Sequence, residues 1–95
     1  MAELLQEYTT LVTGVDGTFY IVRSYGEERT DGTWIGWLEF HPTDVTKPVL
    51  HTGQETSQPS RASVEYWASG LEPIYFEGAL ARAQAKSLNR LQDNE

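Results

Sequence analysis

Two histidines, His41 and His51, flank one short segment, with Glu39 two residues before the first and Glu55 four after the second. Imidazole and carboxylate are the ligand types of a two-histidine, one-carboxylate metal centre, and the same groups serve in acid/base catalysis. The spacing adds nothing to the residue types, because no two histidines lie four apart and no His-Glu-x-x-His run occurs. Glu65 and Glu77 are further carboxylates, and nothing pairs them with one partner over another. There is no Gly-x-Ser-x-Gly elbow, no Ser-x-x-Lys and no glycine-rich phosphate loop, so nucleophilic and phosphate chemistry have no foothold. A small metal- or acid/base-dependent enzyme built on Glu39, His41, His51 and Glu55 is the alternative reading, and no cofactor is expected.

A second concentration of polar groups runs from Gln54 to Arg61, where amides, hydroxyls, a carboxylate and a guanidinium lead into a helical pattern. A helix N-terminus presents unpaired N–H groups and a positive dipole end, so Gln54, Glu55, Ser57, Gln58 and Arg61 form a candidate polar binding loop. Ordinary local structure accounts for much of it. Ser57 or Gln58 would cap the helix, and Arg61 would pair with Glu65 four residues on.

The elements that position these groups begin with a hairpin. Tyr8–Val15 and Thr18–Tyr25 are β-rich runs separated by Asp16-Gly17, a dipeptide favoured in two-residue type I′ loops. Such a loop pairs residues whose numbers sum to 33, with Val12 opposite Ile21 and Tyr8 opposite Tyr25. Asp31-Gly32 repeats the signal before Thr33–Phe40, a run that reads as a central strand, and the same loop length gives pairs summing to 63. One face then carries Tyr8, Val12, Phe19, Ile21, Tyr25, Trp34, Leu38 and Phe40. The other carries Leu11, Tyr20, Val22, Ile35 and Trp37. Both faces are apolar, so the second needs a cover: another element, closure toward a barrel, or a partner. Tyr20, Val22, Ile35 and Trp37 are accordingly the interface candidates.

His41-Pro42 ends the central strand, because proline cannot donate to a ladder. Val49-Leu50 lies in a short edge-strand candidate over Pro48–Thr52, and Gly53–Pro59 has no periodicity. From Pro59 the pattern turns helical, with Val64, Trp67, Ala68 and Leu71 on one face and a stop at Gly70, Leu71 and Pro73, which predicts a helix over 59–69. Ile74–Glu77 alternates and is expected as a further strand. Gly78 opens an alanine-rich second helix whose inward face would hold Leu80, Ala83, Ser87, Leu88 and Leu91. The fold class expected is α+β: a small mixed or mainly antiparallel sheet in the order β-β-β-(β)-α-β-α, with one or two helices packed on it.

Ninety-five residues suit a single domain over 1–95, with residues 1–7 and 92–95 expected to fray. With no cysteine, neither disulfides nor thiolate metal sites support the core, and eleven aromatic residues supply its bulk. The net charge of −7 and the scattered basic residues exclude nucleic acid as an expected partner. No apolar run approaches membrane-spanning length, so no membrane association and a cytoplasmic location are expected. The runs Glu55-Thr56-Ser57-Gln58-Pro59-Ser60-Arg61, Glu65-Tyr66-Trp67-Ala68-Ser69-Gly70-Leu71-Glu72-Pro73 and Tyr75-Phe76-Glu77-Gly78-Ala79-Leu80 resemble a family of small bacterial proteins of the domain-of-unknown-function type. That resemblance implies a one-domain bacterial protein and carries over no site. The leading functional expectation is a non-catalytic protein-interaction or small-ligand-binding module, acting on itself as a homo-oligomer or on another protein.

Overall fold

A computed structural model describes the backbone of residues 1–93 and the side chains of residues 1–88. Five strands precede two helices: β1 (Glu3–Thr13), β2 (Phe19–Glu28), β3 (Trp34–Pro42), β4 (Leu50–His51), β5 (Thr56–Gln58), α1 (Arg61–Ser69) and α2 (Pro73–Asp93). The sheet is antiparallel throughout, ordered β1-β2-β3-β4, with β5 pairing further along β3. Both helices pack on it, so the α+β class holds.

Each Asp-Gly marks a turn, but the loops are three residues long. The Gly14 N–H donates to the Thr18 carbonyl (2.8 Å) and the Gly17 N–H to the Gly14 carbonyl (3.0 Å), with Gly17 at φ +84°. Arg29, Thr33 and Gly32, at φ +87°, repeat the arrangement. This is a tight turn closed by a glycine in the left-handed region, which other residues rarely adopt. The carboxylates fix the choice: Asp16 Oδ1 accepts the Thr18 N–H (3.0 Å), and Asp31 Oδ1 accepts the Thr33 N–H (2.9 Å). The extra residue changes both registers. Beside the turns Val12 pairs with Tyr20 and Val22 with Phe40, so the pairs sum to 32 and 62 rather than 33 and 63, and two irregularities along β1 then bring Glu7 opposite Arg23 and Leu4, rather than Tyr8, opposite Tyr25.

Because strand side chains alternate, a shift of one reverses the face on which the β2 residues fall. Val12, Tyr20, Val22, Leu38 and Phe40 all point to the helices, where they meet Phe76, Ala79, Leu80 and Ala83 of α2. Phe19, Ile21 and Tyr25, expected on this core side, lie on the other. Tyr8 joins the layers: its ring tilts on Phe76 at 4.6 Å and its hydroxyl donates to the Ala68 carbonyl (2.6 Å).

The α1 cap is Ser60, not Ser57 or Gln58. Ser60 is extended, accepts the Ser63 N–H, and its own N–H donates to Ser63 Oγ (3.1 Å). This reciprocal pair satisfies two end groups at once, which a cap further upstream cannot do. Ile74–Glu77 is not a strand. Pro73 opens α2 directly, and Phe76, Ala79, Leu80 and Ala83 recur at helical spacing along its buried face. Leu88 is exposed, Leu91 and the 92–95 segment fall outside the described side chains, and β1 takes in residues 3–7.

Candidate functional site

The helices cover one side of the sheet and leave the other open. Leu4, Leu11 and Phe19 on that side are about half exposed, at 54%, 50% and 52%, and Ile21, Tyr25, Ile35 and Trp37 are partly so. Tyr25 and Trp37 are Cα partners and their rings stack, 6.1 Å apart and 15° from parallel. An apolar sheet face with this degree of exposure is unusual on a monomer.

A chain of polar contacts crosses its middle. Arg23 Nε donates to Glu7 Oε1 (2.7 Å), and Arg23 Nη1 lies 3.4 Å from His41 Nδ1. Nδ1 therefore accepts, which leaves the other ring N–H, on Nε2, to donate to Glu39 Oε1 (3.0 Å). The indole N–H of Trp37 donates to Glu39 Oε2 (3.3 Å). Glu7, Arg23, His41, Glu39 and Trp37 thus hold one another in a continuous chain across the face.

A cleft of about 350 Å³ opens beside Trp37, walled by Glu39, His51, Gln54 and Lys86. It exists because the fourth strand is broken. β4 and β5 pair with β3 in registers two residues apart, and residues 52–55 bulge between them. The Thr52 hydroxyl takes over the interrupted ladder by accepting the Leu38 N–H (3.0 Å). Below the bulge, Glu55 turns to the helix layer, where its carboxylate accepts from the Tyr75 hydroxyl and from Arg82 and is 8% exposed. Burial, and then the neighbouring carboxylate, push the Tyr75 hydroxyl from 10.0 up to about 12.

Comparison with family models, with curated proteins and with solved structures gives no match to this chain.

The four interface candidates divide. Ile35 and Trp37 lie on the open face, whereas Tyr20 and Val22 are buried in the core because of the register shift. The polar-loop candidates divide as well. Gln54 and Ser57 turn outward to Arg29, Glu55 turns inward, Gln58 bonds Thr56 Oγ1, and Arg61 is held by Glu65 (2.8 Å) and Glu3 (2.6 Å) beside the Trp34 ring. The Arg61–Glu65 pairing expected from the sequence is present. Of the alternative catalytic set, Glu39, His41 and His51 share the open face and Glu55 does not. No cluster of three metal-ligating side chains occurs among the described residues. Glu7 and Arg23 are residues of the candidate site that the sequence reading passed over, and Tyr25, expected on the core face, is a third. Their signal was available: Glu7, Arg23, Glu27, Arg29, Glu39 and His41 are all odd-numbered, so registers with even pair sums gather these charges on one side and those with odd sums do not.

Among the described residues no helix is long and apolar enough to cross a membrane.

Proposed function

We propose that this chain is a protein-interaction module that docks its partner on the uncovered face of the sheet. The observation that carries this is the Tyr25–Trp37 stack, set in an apolar surface whose polar groups are already paired with one another. Docking surfaces gain most from large rigid aromatic anchors surrounded by contacts that exclude water, and prior order lowers the entropy lost on binding. The cleft beside Trp37 is shallow and belongs to the same surface, where it offers a seat for one side chain of the partner.

The test is capture from native lysate, with an untagged copy of the chain added, by a tagged wild type and two variants. Ile21→Lys places a charge on the open face, while Tyr66→Lys does so on α1, where Tyr66 is 81% exposed. Partners retained by wild type and Tyr66→Lys and lost by Ile21→Lys support the reading. Equal capture by all three refutes it.

A further inference from the structure

The geometry points to a second copy of this chain as the occupant of the open face, stacked sheet on sheet about a two-fold axis parallel to the strands between β2 and β3. The inference rests on the docking-face reading and names its partner.

The register carries it. Glu7, Arg23, Glu39 and His51 are successive Cα partners from β1 to β4, so they form one straight row across the uncovered face. Lys86 Nζ stands 3.2 Å from His51 Nδ1 and supplies the charge at the fourth place. The row therefore reads minus, plus, minus, plus. A two-fold parallel to the strands reverses strand order and keeps height along the strands unchanged, which turns an alternating row into its own complement. Arg23 then faces Glu39 of the second copy, Glu39 faces its Arg23, and Glu7 faces its Lys86. A two-fold perpendicular to the strands would instead set Glu7 on Glu7 and Arg23 on Arg23. The sign pattern thus selects one of the two isologous stackings.

The adjoining row agrees. Tyr25 and Trp37 are Cα partners, so the same operation lays the Tyr25 of each copy over the Trp37 of the other and gathers four rings beside the charged row. Net charge poses no barrier at this face. Its acidic side chains, Glu7, Glu27 and Glu39, are matched by Arg23, Arg29 and Lys86, three against three, so the −7 of the chain resides elsewhere. Area is sufficient too. Strands of nine to eleven residues across a four-strand width span about 33 by 19 Å, a footprint of about 600 Å² per copy, which reaches the lower bound of stable interfaces.

Sedimentation equilibrium over a concentration series tests the arrangement, with Arg23→Glu and Glu39→Arg as variants and circular dichroism to establish that each is folded. Wild type should approach twice 10.7 kDa with a Kd in the micromolar range or below. Each variant alone, carrying like charges at both reciprocal contacts, should associate at least about 100-fold more weakly. An equimolar mixture should recover the dimer, because both contacts then join opposite charges. A wild type that stays monomeric overturns the second-copy inference, and the capture experiment still judges the docking face by its lysate partners. A dimer indifferent to the charge reversals, or variants that fail to complement in the mixture, also overturns it. Should either variant fail to fold, wild-type mass measured with Ile21→Lys beside it decides the question: loss of the dimer supports the stacking and retention overturns it.

Discussion

Replacing Gly36 with alanine should destabilise the domain, and the loss should depend on Trp67. Gly36 points from β3 into the helix layer, where the α1 indole lies directly on its backbone. A Cβ there would stand 2.7 Å from Cζ3 and 3.2 Å from Cε3 of Trp67, and 3.0 Å from Cγ2 of Thr56. Carbon atoms settle at about 3.5 to 4.0 Å, so the ring would have to retreat by about 1 Å. Overpacking of this kind costs about 1 to 3 kcal/mol, offset by the about 0.5 to 1 kcal/mol that alanine recovers over glycine inside a strand. The expected net loss is about 1 to 2 kcal/mol, a fall in Tm of about 4 to 16 °C for a chain of this size. Trp67→Ala should itself cost about 3 kcal/mol, the low end for a large ring because the residue is only partly buried. In that background the indole is gone and only the Thr56 methyl remains to yield. Gly36→Ala should then be between neutral and about 1 kcal/mol stabilising, a coupling of about 1 to 3 kcal/mol. Urea unfolding of the four proteins, followed by far-ultraviolet circular dichroism, measures the cycle. Equal losses in the two backgrounds would show that the indole is not what excludes a side chain at position 36.

Trp37→Ala should leave the fold intact, with a stability loss under about 2 kcal/mol for a half-open site, and should weaken docking by about 2 kcal/mol or more; urea titration and binding to the identified partner measure the two effects. Ser60→Ala should cost about 1 kcal/mol in urea by removing the reciprocal cap of α1. Tyr75 ionises at about 12 rather than 10.0, so its contribution to stability is whole below the unfolded value and is lost as pH rises through the folded one. Burial also raises the Tyr8 and Tyr20 hydroxyls, so in an ultraviolet titration Tyr75→Phe should lower the amplitude of the late phenolic phase by one tyrosine, and an unchanged amplitude would contradict the assignment.

Turn positions were legible in the sequence, and turn lengths were not. Asp16-Gly17 and Asp31-Gly32 both mark hairpins, but the dipeptide also suits a three-residue loop, in which aspartate accepts an N–H two residues on and glycine closes the turn. The donors at that spacing are the backbone N–H groups of Thr18 and Thr33, which any residue but proline supplies, so residue type does not separate the two loop lengths. The two expected registers agreed with each other because both were displaced by one beside the turns, so their agreement tested nothing. That displacement moved Tyr20 and Val22 from core to candidate interface and separated Arg23 from the charges it accompanies. Helix α1 was readable from Val64, Trp67, Ala68 and Leu71. The start of α2 was obscured because Ile74–Glu77 is too short to separate a period of 2 from one of 3.6, and Gly78 resembled a break. Glu55 could not have been placed, since its inward turn depends on a bulge that leaves no trace in spacing.

The broken fourth strand also bears on how the protein behaves when crowded. A sheet edge grows fibrils when it offers an incoming chain a long, regular row of free N–H and C=O groups. Here one edge offers only two residues and then three, separated by the protrusion at 52–55. The opposite edge loses regularity twice along β1, between Leu4 and Gln6 and between Glu7 and Leu11. Lateral strand addition is disfavoured on both sides, so the irregularity of its borders works against cross-β growth in a chain with this much exposed aromatic surface.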